Sequence, residues 1–402
     1  MAMKQTQTKL FDFADVGLDF CSGSKNLFPD RFKKMLSQGY NEQTVASVSV
    51  SGNQVTLNYG VTHGYTADRV LKVNSGILAA INGGEFWIDV VTANSVTLTI
   101  DNAPTSITGG FTTKIASLGY SLVYEQGNVH VYKFKALDES DLFLRLCFQN
   151  QLGRRNCISP CIGKSFDLAT GFITDTLSLS ETRQVTTPHN GFKWEFGYPT
   201  GATFDNYTYA QGYSQFGKGI IIGSLYHFLS LHNALNTNGI GRICGFLPAS
   251  TLNYNQINYP MLVGESFSVT SDLYSYQLNQ AQAYLGNIRV ILHNISNNNQ
   301  LITFPYAPQS FLPSSIDSFN TTTASNIQIY EYTTRQILGV AYGMYICNYD
   351  SVNYPPATHS TSPSFTYDID LTSLTFMHYM SAGYVGTGST HFAVPIEEIK
   401  IA

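Results

Sequence analysis

The stretch Val45-Ala-Ser-Val-Ser-Val50, followed by Ser51-Gly52-Asn53 and then Gln54-Val-Thr-Leu-Asn58, decides the fold. Apolar residues recur at every second position, the period of a strand that buries one face. Gly and Asn between the two runs are the residues that tight hairpin turns use. The pattern continues in Arg69-Val-Leu-Lys-Val73, Phe86-Trp-Ile-Asp-Val90 and Ser95-Val-Thr-Leu-Thr-Ile100. His63-Gly64, Asn82-Gly83-Gly84 and Asp101-Asn102-Ala103-Pro104 punctuate these runs. Five short strands in about 75 residues predict a compact β-module, a small barrel or sandwich. Phe86 and Trp87 point to opposite faces, so one of them plugs the module's core.

Upstream the period changes. In Asn26-Leu-Phe-Pro-Asp-Arg-Phe-Lys-Lys-Met-Leu-Ser-Gln-Gly39, the residues Phe28, Phe32, Met35 and Leu36 fall on one helical stripe. Pro29 suits the first turn, Asp30 the positive end, Lys33 and Lys34 the later part, and Gly39 the stop. A short helix with one apolar stripe must dock onto something.

Downstream the chain stays β-rich. Val129–Phe134 and Asp141–Phe148 predict a hairpin, with Leu142, Leu144, Leu146 and Phe148 on one face and Arg145 on the other. Further strands are expected at Gly219–Tyr226, Ile288–His293, Ile327–Thr333, Ile337–Asn348 and Phe365–Phe376, with loops such as Asn294–Gln300 and Asn353–Ser364 between them. Ile240–Pro248 reads as a turn or short loop because Gly and Pro set its backbone. No solenoid-type repeat is visible.

Composition narrows the function. The 402 residues carry 22 Lys+Arg and 27 Asp+Glu, so charged residues make up 12%, against about 25% in a typical domain. Aromatic residues reach 13%, with 26 Tyr, 25 Phe and 2 Trp. The apolar share of 43% argues against disorder. A net charge of -5 argues against a nucleic-acid binder, and the scarcity of Glu, Lys and Arg argues against a long solvated helical protein. The surface that remains is neutral, polar and aromatic, suited to assembly interfaces or to carbohydrate.

The N-terminal stretch Met1–Leu10 lacks the apolar core of a signal peptide. No run approaches the ~20 apolar residues of a membrane span. The Asn-x-Ser/Thr triplets at Asn206, Asn294 and Asn320 therefore carry little weight as glycosylation sites. Cys21, Cys147, Cys157, Cys161, Cys244 and Cys347 are spread too thinly for a disulfide scaffold and read as free, mostly buried thiols. Cys157 and Cys161 have the spacing of half a zinc site, but no second Cys/His pair follows.

Other candidate constellations are sparse. His227 and His232 are spaced neither as a helical nor as a strand ligand pair and read as core or loop histidines. Asp368 and Asp370 share a strand face, yet two carboxylates fall short of a Ca²⁺ site. Gly386-Thr-Gly388 lacks a strand-to-helix context. Arg154-Arg155 suits a loop contact to an acidic neighbour. No nucleophile elbow, phosphate loop or metalloprotease helix occurs. No residue is marked as catalytic, cofactor-binding or metal-binding, and no enzyme is expected.

The order of the segments carries a resemblance. Gly39-Tyr40 leads into Val45–Val50, then Thr62-His63-Gly64-Tyr65, Arg69–Val73, Ile81-Asn82-Gly83 with Phe86 just after, and Asp89–Leu98. Gly119-Tyr120, Val131–Phe134, Leu142–Leu146, Cys161–Lys164, Asp167–Gly171, Phe192–Phe196 and Gly245-Phe-Leu-Pro248 follow. This series resembles tail and baseplate structural proteins of tailed bacteriophages, in which a small β-module carries His-Gly and Leu-Asn-Gly-like turns. Ile81 stands where that pattern has Leu, Val96 where it has an aromatic residue, and Tyr120 where Trp is usual. The resemblance covers residues 26–250, and 251–402 only loosely.

It implies a virion protein, assembled in the host cytoplasm, that acts by contact with copies of itself and with other tail or baseplate proteins. It implies no catalytic residues. The expected fold is mainly β: a small β-module at 41–117 inserted in a larger β-rich domain at 118–402, with the helix of 1–40 packed on the latter and a division near 250 left open. The alternative from composition is a receptor-binding module for host surface glycan.

Overall fold

The computed structural model describes residues 8–74, 76–81, 84–197, 202–233, 241–252, 257–267, 281–292, 324–347, 363–367, 373–380 and 390–399. Within them the chain is mainly β, with few helices. The N-terminal helix forms where its apolar stripe predicts it. A 3-10 turn at Lys25–Leu27 runs into the α-helix Phe28–Lys33 and ends in a π turn at Lys34–Gln38. The Gly39 N–H closes that turn on the Lys34 carbonyl at 2.8 Å. Phe28, Phe32, Met35 and Leu36 are fully buried. Phe32 sits among the rings of Phe28, Phe148, Phe196 and Phe228, with centroids 5.5–5.9 Å away, so the helix docks through an aromatic cluster.

Between Tyr40 and Ile115 the strands form two four-stranded sheets, which makes this part a sandwich. One sheet runs Tyr40–Thr44, Thr112–Ile115, Val70–Val73, Glu85–Trp87; the other runs Ser47–Ser51, Gln54–Asn58, Ser95–Thr99, Val90–Val91. The chain passes from one sheet to the other four times. Val45 donates to Phe111 in the first sheet, and pairing with Gln54–Asn58 begins at Ser47. The expected strand Phe86–Val90 is likewise split. Ile88 donates to the Arg69 carbonyl and Asp89 to Thr97, so consecutive N–H groups serve different sheets. Phe86 is the buried plug, while Trp87 is half-buried against Val70 and Ala116.

Tyr40 pairs directly with Ile115. Leu118 and Tyr120 then donate to the Met35 and Leu36 carbonyls at the end of the helix. The sandwich thus leaves and rejoins the rest of the chain at one stem.

The remaining strands form a large curled antiparallel sheet. Ser121–Gln126, Val129–Lys135, Asp141–Phe148, Asn156–Gly163 and Gly191–Gly197 make a meander. Its last strand also pairs with Met261–Phe267. A second series begins with Lys9–Asp12 and continues through Gly219–Gly223, Phe228–Asn233 and Gly241–Leu247 to Met261–Phe267. Ala281–Leu285, Ile288–Leu292, Ala324–Glu331, Ile337–Cys347, Thr390–Pro395, Leu374–Met380 and Ser364–Tyr367 extend it.

Three expectations change. Ile240–Pro248 is no loop: Gly241–Leu247 is a fully buried strand. It belongs to a layer covered on both sides, with Cys244 and Phe246 in the core shared with the helix and Ile243 and Leu247 in a second core under the C-terminal strands. A strand buried on both faces has no polar alternation to reveal it. Gly245 in this strand has φ +148°, and a Cβ there would lie 1.9 Å from the Phe228 carbonyl oxygen. Its glycine signals a close backbone crossing rather than a turn.

Phe365–Phe376 is two paired strands instead of one, with Phe365 opposite Phe376, and the residues that join them lie outside the described ones. Third, a second helix, Tyr209–Phe216, joins the N-terminal one. The Thr208 N–H donates to the Gln211 side-chain carbonyl at 3.3 Å, half of a capping box. The expected loop Asn294–Gln300 and most of Asn353–Ser364 lie outside the described residues.

Candidate functional site: the joint between the sandwich and the large sheet

Of the candidates from the sequence, His232 and Arg155 meet at one residue, Glu195, and Cys157 pairs with it across neighbouring strands. His227 precedes and His232 lies within Phe228–Asn233, and both are buried. His227 Nδ1 is 2.7 Å from Ser224 Oγ. His232 bonds Ser230 Oγ and the Glu195 carbonyl, and stacks on Phe196 with centroids 4.6 Å apart. Burial lowers each imidazole to a pKa of about 3, so both are neutral core groups. The six cysteines are buried free thiols. Burial pushes Cys147 and Cys161 up to about 11, which leaves them unreactive at neutral pH. Among the described residues, no group of three or more His, Cys, Asp and Glu side chains could hold a metal ion.

Arg155 does contact an acid: its Nε lies 2.8 Å from Glu195 Oε1. Burial alone would raise the Glu195 pKa, but Arg155, Arg242 and Lys193 outweigh it and hold the carboxyl below the usual range. Arg145 faces away from the Leu142–Phe148 stripe, yet it is fully buried and donates to the Gly171 and Val185 carbonyls. Asn206 ends a short 3-10 turn. Asp368, Asp370, Gly386–Gly388, Asn294 and Asn320 lie outside the described residues.

What the fold does assemble is a buried ionic joint. The first strand, Lys9–Asp12, belongs to the large sheet, and the residues after it reach across to the sandwich. Arg69 Nε and Nη2 donate to Asp15 Oδ2 and Oδ1 at 2.8 and 2.9 Å, a bidentate pair. The Tyr40 hydroxyl donates to the same carboxylate at 2.7 Å. Burial alone would lower the Arg69 pKa; the Asp15 charge outweighs it and holds the guanidinium above its ordinary value. Burial and then Asp15 push the Tyr40 phenol well up, so it stays a neutral donor.

A second buried pair crosses the same joint. Lys9 Nζ is 2.7 Å from Glu85 Oε2 and donates to the Ser117 carbonyl at 2.6 Å. Burial lowers the Lys9 pKa against the opposing pull of Glu85. The His63-Gly64 segment packs against Val16, next to Asp15. Asn41 donates to the His63 carbonyl, and the Tyr65 N–H donates to His63 Nδ1. Gly64 has φ +71°, and a Cβ there would lie 2.9 Å from Val16. The sequence signal for this joint was available: Lys9, Asp15, Arg69 and Glu85 are charges in or beside apolar runs, where a solvated strand face would not put them.

Desolvated charges on both sides of a joint favour one orientation, because a slipped contact would leave a charge buried and unpaired. The arrangement can fix the sandwich rigidly relative to the large sheet. It also removes charge from an already poorly charged surface. Lys25 and Asp205 do the same elsewhere, 3.1 Å apart and both 1% exposed. Outside, apolar side chains are displayed instead: Val61, Ile77 and Val90 on the sandwich, Leu152 and Leu168 on the meander side, and Phe365 near the C-terminus.

No protein-family model matches the chain, and no curated protein sequence does. Among solved structures, the phage phi92 endosialidase is similar over 90% of this chain and 52% of its own, at 10% identity and a TM-score of 0.16. The chain therefore spans about half the length of that protein. No described helix is long and apolar enough to cross a membrane.

Proposed function

We propose that the chain is a structural protein of a bacteriophage tail or baseplate and that it acts by subunit assembly, without catalysis. The ordered series of segments from residue 26 to 250 carries this reading. The fold gives those segments mechanical roles: His63-Gly64 is the turn at the joint, Phe86 the plug of the sandwich, and Gly245 the close crossing of two strands. A sandwich on a single stem, pinned by buried ion pairs, is a rigid projection from a large sheet. Rigid units with weakly charged outer faces lose little entropy on docking and leave few charges to desolvate. Neighbours under this reading are copies of the chain and other tail proteins, and its place is the virion. Gold labelling of purified particles with an antibody to this chain tests it. Label at the tail end is the expected result; particles without label contradict it.

A further inference from the structure

Each sheet of the sandwich ends in two edge strands. Three of these four edges are blunted. Val90–Val91 is two residues long and Glu85–Trp87 three, while Tyr40–Thr44 is bulged, with Asn41 at φ 56° and a register shift before Gln43. Short, bulged or charged edges resist pairing with another chain. The fourth, Ser47-Val-Ser-Val-Ser51, has none of these features. It is regular along all five residues, uncharged and free of proline.

Its exposed backbone can be assigned. The turn Gly52-Asn53 joins Ser51 to Gln54, with Gly52 at φ +60°, the sign of a two-residue hairpin turn that closes on a hydrogen-bonded pair. Ser51, Ser49 and Ser47 then bond inward to Gln54, Thr56 and Asn58. The N–H and C=O groups of Val48 and Val50 point outward. Among the described residues, nothing bonds to them. Gly109 packs on the Ala46 carbonyl and marks the start of the free stretch.

We infer that this edge pairs antiparallel with the same edge of a second copy of the chain, across a two-fold axis at Ser49. The sequence reads the same in both directions. Ser47 then faces Ser51, Val48 faces Val50 and Ser49 faces its own symmetry mate, so each residue meets its own kind. The outward groups of Val48 and Val50 satisfy each other across the axis. The two copies' Ser-Val sheets become one eight-stranded sheet, an isologous contact. A five-residue strand pair buries far less than the roughly 1,200–2,000 Å² of a stable interface. The isolated chain therefore dimerises weakly, and the contact consolidates when other surfaces hold the copies close. The contact rests on the assembly reading for its role, as a link between neighbouring subunits.

The geometry sets a sharp test. At the axis the two Ser49 residues form a non-hydrogen-bonded pair with Cα atoms about 4.5 Å apart, inside the range for a disulfide. In the full chain, S49C forms a covalent dimer under mild oxidation, in a yield that rises with protein concentration. S106C, at an exposed loop position of the same sandwich, serves as the control. The expected result is at least tenfold more dimer from S49C than from S106C, and loss of the concentration-dependent mass increase of the wild-type chain in S49K. S49C yields no greater than those of S106C overturn the contact. A chain present in virions whose S49C does not cross-link refutes the contact alone. A cross-linking chain absent from virions refutes the assembly reading and leaves the contact standing.

Discussion

Arg69 grips Asp15 through two parallel hydrogen bonds of 2.8 and 2.9 Å, with both side chains at least nine-tenths buried. The pair crosses the joint between the sandwich and the large sheet. Removing one partner strands the other charge, so Asp15→Asn or Arg69→Met destabilises the chain by about 3–5 kcal/mol. Replacing both, as Asp15→Leu with Arg69→Met, recovers most of that loss. Denaturant titration of the four proteins measures the cycle. A single substitution costing under about 0.5 kcal/mol, the range of an exposed pair, contradicts the buried joint.

Phe32 concentrates the docking of the N-terminal helix. It is fully buried among four other rings. Phe32→Ala leaves a cavity and costs about 3–5 kcal/mol. Phe32→Leu keeps most of the volume and costs less. Equal losses for the two variants would mean that the ring cluster does not hold the helix.

The close approach at Gly245 predicts intolerance of any side chain. A Cβ placed 1.9 Å from the Phe228 carbonyl oxygen forces two buried strands apart and strains a backbone conformation that other residues rarely adopt. Gly245→Ala therefore destabilises by about 3 kcal/mol or more, read as a lowered thermal midpoint or as insoluble protein. A variant with wild-type stability would place this strand elsewhere.

Acid stability depends on the core histidines. Unfolded, they titrate near 6.5; folded, burial holds His130 at about 4 and His227 and His232 at about 3. Below about pH 6.5 the unfolded chain binds more protons than the folded one, so unfolding becomes easier. Stability is at its full value above that pH and is lost as pH falls toward the folded values. Each histidine contributes about 1.4 kcal/mol per pH unit in that window. His227→Gln flattens the dependence by about one proton, measured by denaturant midpoints from pH 7 to 4.5. An unchanged slope would mean that His227 is hydrated.

The sequence made local order legible where one face is wet. The helix stripe at Phe28, Phe32, Met35 and Leu36 and the alternation in Gln54–Asn58 both appear as read. Strands buried on both faces were not legible. Gly241–Leu247 shows no alternation and carries a glycine demanded by a neighbouring strand. Asn156–Gly163 was hidden by Pro160, which is tolerated because pairing to the next strand stops at Ile158 and no N–H is needed beyond it. The crossover at Ile88 and Asp89 escaped because residue types along Phe86–Val90 do not reveal which sheet each N–H joins. The ionic joint was only half legible: charges at inward positions mark a buried contact, but only the fold shows that Asp15 meets Arg69 across 54 residues.

Quantitative mass spectrometry of purified phage particles, with host proteins counted in the same sample, tests whether the chain is a part of the tail or baseplate. The chain should be a stoichiometric component, present in a fixed number of copies per particle that matches a cyclic or dihedral arrangement about the tail axis. Its absence from intact particles, with abundant chain left in the lysate, would contradict a structural role in the tail or baseplate.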